Sequence, residues 1–436
     1  MPRGESGFSN NWEEIFTRYN IVKRVEQDGF ADLTAAELKA VYEPRLLTKV
    51  DHSHQLPTVM KNHGLSILTL SASTWRVGPF NIFQTLPEWK TPDHTVASRS
   101  LPAWLESLSL EGLTGEGAVM NAAAASGMLD EFCGEELIST ISGKGRSGDF
   151  SFTVDGSRGK TNIDVRGAQI EIDAGFEGRT GLFLFEAKKH RAIDFNVRQL
   201  YYPFRAWNQR VRKPIRPIFL TFANGVFDLT EYTFNDPNNF SSSEIVSHSR
   251  FMLGTGLPKE EEIVEVAKSA KALPKLSVKT SREIPFPQAD DFERIIDLVE
   301  FLADSPRTLE DITSEYEFAP RQSDYYFNAA RYLGLAEVVR GEDGKNYRQA
   351  TALAEEIIKL PYKQRQVRLA ELILSIDPIS DIYLNWVSKG ETPHLDKVEE
   401  LFTKSESSAG LSGATLRRRA QTISAWVGWL KSFDDR

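Results

Sequence analysis

Between residues 170 and 188 the chain carries two apolar runs that end in charge. The first is Ile170-Glu171-Ile172-Asp173, and the second is Leu182-Phe183-Leu184-Phe185 followed by Glu186-Ala187-Lys188. Side chains alternate across a strand, so Glu186 and Lys188 share one face while Ala187 turns to the other. The connection from Ala174 to Gly181 holds three glycines and is expected to close a hairpin-like turn that sets Asp173 beside Glu186. A sheet built this way presents two carboxylates and an ammonium at one edge. That set suits a hard divalent cation such as Mg²⁺, which takes one or two carboxylates plus water and phosphate oxygens. Asp173 and Glu186 are the expected ligands, with the Ala187 carbonyl as a third oxygen. Lys188 would orient or help deprotonate a water and stabilise transition-state charge. Carboxylates and metal pull its pKa in opposite directions, which leaves its protonation state open.

The same string also fits a surface hairpin with an ordinary Glu/Lys pair. Three features argue for a site. Both carrier strands are apolar and end abruptly in charge, which a solvated face does not require. A helix is expected at once over Asn196 to Tyr202, ending near Pro203. The segment from Asp155 to Arg216 has 13 Lys/Arg against 7 Asp/Glu, whereas the whole chain is at −9. Basic charge therefore gathers around the site, as a phosphate-backbone ligand requires.

Asp173, Glu186-Ala187-Lys188 and Gln199-Leu200-Tyr201-Tyr202 resemble the PD-(D/E)xK nucleases, Type II restriction endonucleases in particular. The text from Ile141 to Phe152 and from Gln169 to Gly175 is also similar to a multi-domain restriction-enzyme group. Ile172 stands where the motif has proline. The resemblance implies an α/β fold with a restriction-endonuclease-like mixed sheet flanked by helices. It implies Mg²⁺-dependent hydrolysis of double-stranded DNA leaving 5′-phosphates, with Gln199 positioning phosphate or a catalytic side chain. Some such nucleases add an acid from an upstream helix. The candidates are Glu116, Glu135 and Glu136 around a helix expected over 117–136, or Glu171, which shares a strand face with Asp173. Cutting both strands at a palindrome favours a homodimer, and a cognate DNA methyltransferase is the implied companion. The rival expectations are a modification-dependent or structure-specific nuclease of the same superfamily, and a noncatalytic DNA-binding regulator.

At 436 residues, about two to four domains are expected. Hydrophobic content of 41% and charged content of 26% are ordinary for a globular protein. The one cysteine, Cys133, excludes an intramolecular disulfide and a Cys-based zinc cluster and fits a reducing cytoplasm. No apolar signal core or membrane-length run is present in the sequence, so no membrane partner is expected.

Three parts are expected. Residues 1–90 form an N-terminal α+β accessory or DNA-recognition module. A capping box at Thr34 and Glu37 opens a helix from Ala35 to Glu43, and β-like pieces follow at Leu65–Leu70 and Trp75–Phe83. Arg45, Lys49, His52 and His54 lie in this part, and the two histidines suit a structural or DNA-contact role better than metal. Residues 91–272 carry the nuclease motif, with buried strands at Ile218–Phe222 and Val226–Phe234. Gly143-Lys-Gly-Arg-Ser-Gly148 lacks P-loop spacing and is expected to be a loop near DNA. Leu273–Gln288 has linker composition.

Residues 289–436 turn helical. A helix over Phe292–Ala303, a capped helix from Thr308, a third from Pro320 and a Gly-containing hairpin over 338–348 predict a winged-helix domain. Arg321, Asn328 and Arg331 on the third helix would reach bases or phosphates. Arg417-Arg418-Arg419 at the start of the terminal helix opposes the helix dipole unless a phosphate or carboxylate is near, and reads either as a DNA-phosphate contact or as a solvated charge cluster. Trp426 and Trp429 are expected to pack.

Overall fold

The computed structural model describes residues 5–87, 96–109, 113, 115–254, 256, 258–272, 286–316, 320–408 and 411–433; for 5–8, 271, 272, 314, 315, 320, 321 and 406 it describes the main chain only. Over these residues the chain is a mixed α/β protein with a seven-stranded mixed sheet at its centre.

The N-terminal part runs α1 (Glu5–Arg18), α2 (Ile21–Asp28), β1 (Ala31–Thr34), α3 (Ala35–Lys39), α4 (Pro44–Thr48), α5 (Thr58–Asn62), β2 (Ser66–Thr69) and β3 (Thr74–Gly78). The strands form an antiparallel sheet in the order β1-β3-β2, closed by a core including Trp12, Ile15, Leu33, Leu47, Met60 and Val77. The capping box at Thr34 and Glu37 is present. The helix expected to reach Glu43 stops at Lys39. Glu43 precedes Pro44 and is extended (φ −61°, ψ 117°), since a following proline disfavours helix, and Pro44 then opens α4 at its first turn.

The middle part runs β4 (Phe83–Thr85), β5 (Ala97–Arg99), α6 (Glu116–Ala125), α7 (Met128–Cys133), β6 (Ile138–Arg146), β7 (Asp149–Gly156), β8 (Gly159–Arg166), β9 (Gln169–Glu177), β10 (Leu182–Lys188), β11 (Asp194–Asn196), α8 (Arg198–Asn208), β12 (Ile215–Ala223), β13 (Val226–Phe234) and β14 (Ser243–Leu253). The central sheet has the order β5-β14-β13-β12-β10-β9-β6. β10 and β12 are parallel, joined through α8, and β9 is antiparallel to β10. α6 and α7 cover one face through Val119, Met120, Phe183, Phe185 and Ala187. On the other face α8 packs Leu200 and Tyr201 over Leu182, Leu184 and Phe219.

Several boundaries differ from expectation for physical reasons. The helix expected over 117–136 is two helices, because Gly127 adopts φ 76° between them. The helix expected to end near Pro203 runs on to Asn208 with the proline inside it. There Tyr201, Tyr202, Pro203 and Phe204 are all buried, and burial outweighs the lost ladder bond. The glycine-rich 143–148 segment is not a loop. Residues 143–146 lie in the exposed edge strand β6, paired with β9 from Gly143↔Ile172 to Arg146↔Gln169.

The C-terminal part runs α9 (Glu260–Ala272), α10 (Phe292–Asp304), α11 (Leu309–Tyr316), α12 (Pro320–Tyr332), β15 (Ala336–Arg340), β16 (Asn346–Ala350), α13 (Ala352–Ile358), α14 (Tyr362–Leu374), α15 (Ile379–Lys389), α16 (Leu395–Thr403) and α17 (Ala414–Lys431). Its core draws in Ile263 and Ala267 of α9, so the helix expected to close the middle part belongs physically to this one. The polar break over 90–95 and residues 273–285 of the expected linker lie outside the described residues. Phe286 at the linker's end is buried against Tyr332, Phe402 and Trp426. Trp426 donates to the Ala289 carbonyl at 2.9 Å and Trp429 to Glu293 at 2.9 Å, so both tryptophans pack.

The three parts are in contact. Gly156 at the β7–β8 turn meets Pro79 so closely that an added Cβ would lie 2.0 Å from the Pro79 carbonyl oxygen. At the other boundary α10 presents Glu293, Asp297, Glu300 and Asp304 at helical spacing to the sheet. Asn224, in the β12–β13 turn at φ 48°, donates its N–H to Glu300 at 2.8 Å and its amide to Glu293 at 2.7 Å. Lys189 reaches Asp304 at 2.7 Å, and the Arg191 N–H reaches Asp297 at 3.3 Å.

Candidate active site

The site is built by the β9–β10 hairpin. β9 continues past Asp173 to Glu177, so Asp173 is within a strand rather than at its end, and the turn is confined to residues 178–181. The outcome for the two acids is the same. The ladder pairs Leu182↔Glu177 through Phe185↔Ala174, and one step further sets Glu186 against Asp173. There the Asp173 side chain takes over as acceptor, receiving the Ala187 N–H at Oδ2 at 2.8 Å. Asp173 also marks a change of core: Ile170 and Ile172 pack with the β7–β8 hairpin, whereas Ala174 and Phe176 pack with α6. Ala187 is fully buried on the α6 side, and this alternation delivers Glu186 and Lys188 to the opposite face.

Glu186 Oε1 accepts from Lys188 Nζ at 2.6 Å and from Gln199 Nε2 at 2.5 Å. Lys188 Nζ also donates to the Ala187 carbonyl at 3.1 Å and stands 3.6 Å from Glu116 Oε1 at the start of α6. Gln199 arrives because α8 starts at Arg198, directly after β11. Its Oε1 is buried and has no hydrogen-bond partner among the described residues, which hold this amide through Glu186 on one side.

Burial holds the Glu186 carboxyl above the usual carboxylate range against the pull of Lys188, with Asp173 and Asp51 adding to the rise. Burial likewise raises Glu116, against Lys188. For Lys188 burial acts downward, but Glu186, Glu116 and Asp51 outweigh it and the pKa is raised. The neighbouring carboxylates thus favour the ammonium form of Lys188.

Among the four upstream acids, the structure brings Glu116 to Lys188. Glu135 instead accepts the Thr180 N–H at 3.0 Å and steadies the hairpin turn. Glu136 is exposed, and Glu171 faces Lys144 across the β6–β9 pair at 3.8 Å. Asp51 was not among the expected site residues. It lies in the loop after α4, where burial opposes its ionisation but Lys49, Lys188, Arg198 and His52 outweigh it and lower its pKa. The signal for it in the sequence was the run Lys49-Val-Asp-His-Ser-His54, in which three neighbours drew attention and the aspartate did not.

Three family models match the chain in series. All are domains of unknown function. DUF6996 covers residues 9–77, DUF6997 covers 78–252 and DUF7226 covers 294–435. No curated protein and no solved structure matches the chain. Glu116 and Glu186, the carboxylates that meet Lys188, both lie in the second matched segment.

Among the described residues no group of three or more His, Cys, Asp or Glu side chains stands together as a metal-ligating set. Mg²⁺ does not require one, since one or two carboxylates with water and phosphate suffice. Glu186 Oε1 and the Ala187 carbonyl already converge on one positive charge, the Lys188 ammonium. This all-oxygen donor set fits a hard cation.

The other expected contact residues are in the C-terminal part. Asn328 and Arg331 are half-buried on α12, with the Arg331 guanidinium 5.9 Å from the centre of the Phe327 ring. The Arg321 side chain lies outside the described residues. Arg417 meets Asp396 at 2.9 Å and Glu399 at 3.0 Å, so an intrachain carboxylate pair supplies its partner. No helix among the described residues is long and apolar enough to cross a membrane.

Proposed function

We propose that the chain is a Type II restriction endonuclease that hydrolyses double-stranded DNA and depends on Mg²⁺. The observation that carries this is the placement of Asp173 and Glu186 on adjacent strands of one hairpin, tied by the Ala187 N–H to Asp173, with Lys188 Nζ on Glu186 Oε1 and the Ala187 carbonyl. Asp173, Glu186 and the Ala187 carbonyl would hold the ion. The chemistry such an ion would supply there is Lewis-acid polarisation of the scissile phosphate and a lowered pKa for water. Lys188 contributes a fixed positive charge for the phosphate oxygens as negative charge builds on them. Gln199 orients Glu186, and the Ala187 N–H orients Asp173.

The central sheet with α6 and α8 on its two faces supports a restriction-endonuclease-like fold. In the C-terminal part, α10, α11, α12 and the β15–β16 hairpin support a winged helix. An isolated bridge, Arg307↔Arg348, joins the segment between α10 and α11 to this two-stranded sheet. Arg331 and Asn328 on α12 would then contact DNA. Cleavage of both strands at a palindrome favours a homodimer, with a DNA methyltransferase protecting the host. A buried Cys133 thiol, pushed up to about 12 by burial, suits a cytoplasmic protein that forms no disulfide.

The test is incubation of purified protein with unmethylated and, separately, methylated plasmid and genomic DNA, with Mg²⁺ or EDTA, beside Lys188→Ala. Discrete Mg²⁺-dependent fragments, absent with the variant, are expected. Cleavage confined to methylated DNA would move the assignment to a modification-dependent nuclease. DNA binding without cleavage of either substrate would favour the regulator.

A further inference from the structure

We infer that Arg307, Arg331 and Arg348 form a binding site for a phosphate group on the C-terminal body, where the segment between α10 and α11 meets β16 and α12. The site is built from other elements than the β9–β10 hairpin, and the inference holds whether or not that hairpin cleaves DNA.

Arg307 and Arg348 face each other across an antiparallel bridge. Arg307 donates its N–H to the Arg348 carbonyl at 2.8 Å, and Arg348 donates its own to the Arg307 carbonyl at 2.7 Å. Residues paired in this way carry their side chains on the same face, and like charges directly opposite are unfavourable. Strand register brings no acid to that face. Val338 stands opposite Arg348 on the other side, and Arg340 follows two residues along, whereas Glu337 lies on the reverse face, where Gln349 donates to it at 2.9 Å. The acids that flank Arg307 in sequence are engaged elsewhere, Asp304 by Lys189 and Asp311 by the Thr308 N–H and hydroxyl. At the hairpin turn, Asp343 accepts from the Lys345 N–H and the Tyr347 hydroxyl, both at 3.0 Å.

Aromatic rings hold these guanidiniums in place. Arg307 lies 4.3 Å from the centre of the Phe301 ring. Arg348 and Arg331 lie 5.3 and 5.9 Å from the centre of one ring, that of Phe327. Phe327 and Arg331 are four residues apart on α12 and so share a helix face. A ring attracts the cation through its charge and accepts no directed hydrogen bond from the edge of the fork. The Nε atoms of Arg307 and Arg348 are buried and have no hydrogen-bond partner among the described residues. The acid nearest Arg348, Asp324, is half-exposed and stands at 3.9 Å, beyond hydrogen-bond reach. Burial lowers the Arg348 pKa, against Asp324 and with Arg331 adding to the fall. A buried charged donor without an acceptor is costly, and a phosphate group offers several acceptor oxygens to neighbouring forks while cancelling their repulsion. Val338 beside them is 41% exposed, so the face is open to solvent. The backbone of duplex DNA and free phosphate both carry this chemistry.

The full-length wild type, Arg307→Gln, Arg348→Gln and Arg348→Lys are compared, with Arg368→Gln, whose arginine pairs with Glu371 on α14, as the control. One probe is a labelled DNA duplex, titrated in EDTA over a range of salt. The other is inorganic phosphate, followed by melting temperature against chloride at equal ionic strength; melting without a probe shows that each variant is folded. If a DNA backbone carries the group, both glutamine variants weaken duplex binding by about 10-fold and lower the salt slope by about one. Arg348→Lys then keeps the slope but only part of the affinity, since it retains the charge and loses the fork. If free phosphate is the ligand, it raises the wild-type melting temperature, and the glutamine variants lose that response. Arg368→Gln follows wild type with both probes. No response of the wild type to either probe, or wild-type responses in both glutamine variants, would overturn the site. An equal loss in Arg368→Gln would reduce the effect to net charge and overturn it as well. Neither probe depends on cleavage, so an inactive hairpin would sink the nuclease proposal and leave this result readable.

Discussion

Ala187 donates its backbone N–H to Asp173 Oδ2 at 2.8 Å, so the strand that presents Glu186 and Lys188 also fixes the opposing carboxylate. Neither acid can be repositioned without disturbing the other's strand. The arrangement predicts how single substitutions separate chemistry from folding.

Asp173→Asn keeps an oxygen that accepts the Ala187 N–H while removing the negative charge. Its melting temperature should stay within a degree or two of wild type, since a neutral acceptor replaces a charged one at a partly exposed site (about 1 kcal/mol at most). Cleavage should fall by about 100-fold or more, with a higher Mg²⁺ midpoint. A variant that unfolds readily but cuts normally once folded would contradict this.

Gln199→Leu removes a hydrogen bond to Glu186 and also a buried carbonyl oxygen that has no partner. The lost bond to a charged group costs about 1.5–3 kcal/mol, and relief of the unpaired oxygen returns about 1–3 kcal/mol. Denaturant midpoints should therefore barely move, whereas kcat should drop because Glu186 loses its orientation. A large stability loss with unchanged kcat would show that Gln199 serves packing alone.

How far these residues were legible in the sequence depends on distance along the chain. Asp173, Glu186 and Lys188 belong to one hairpin, where strand alternation and a short turn determine the geometry, so local pattern was enough. Gln199 follows within the same unit. The choice of Glu116 over Glu135, Glu136 and Glu171 depends on how α6 docks on β10, which no local pattern encodes. The Asp51 loop after α4 is held by a clamp on Asn196, 145 positions away, and the charged neighbours of Asp51 masked it. Helix ends at Lys39 and Asn208 were misjudged where a proline acted through its neighbour or was overruled by burial.

His190 is held well below the ordinary imidazole range, by burial first and then by His52, Lys188 and His54. An unfolded histidine titrates near 6.5. Below that pH the unfolded chain binds a proton that the folded chain refuses, so this group's contribution is present above about 6.5 and is lost as pH falls toward the depressed folded pKa. Glu186 and Glu300, both raised by burial, act in the opposite sense. The informative quantity is thus the difference between proteins. Wild type should lose more thermal stability than His190→Gln between about pH 7 and pH 5.5. Parallel melting curves would refute the prediction.

Asn224 is 1% exposed, sits at φ 48°, and bonds Glu300, Glu293 and Gln366. Asn224→Ala loses the side-chain bonds and places a Cβ-bearing residue without local support in the left-handed region, a loss of about 2–4 kcal/mol. Asn224→Gly loses the same bonds without the backbone strain and should be about 1 kcal/mol milder. Urea unfolding of the two variants measures the gap. If glycine were the more damaging of the two, the left-handed conformation would carry no cost here.

The acidic stripe of α10 has a consequence for engineering. Lys189, bound to Asp304, is one peptide bond from Lys188, and Arg191, bound to Asp297, follows two residues on. The sheet and the C-terminal helices are therefore not interchangeable cassettes. A transplanted C-terminal body would have to reproduce Glu293, Asp297, Glu300 and Asp304 in register, or the graft would disturb the backbone immediately after Lys188. Redesign has its safest point of entry on the β15–β16 hairpin, whose strands meet α10, α12 and α13 of their own helical body.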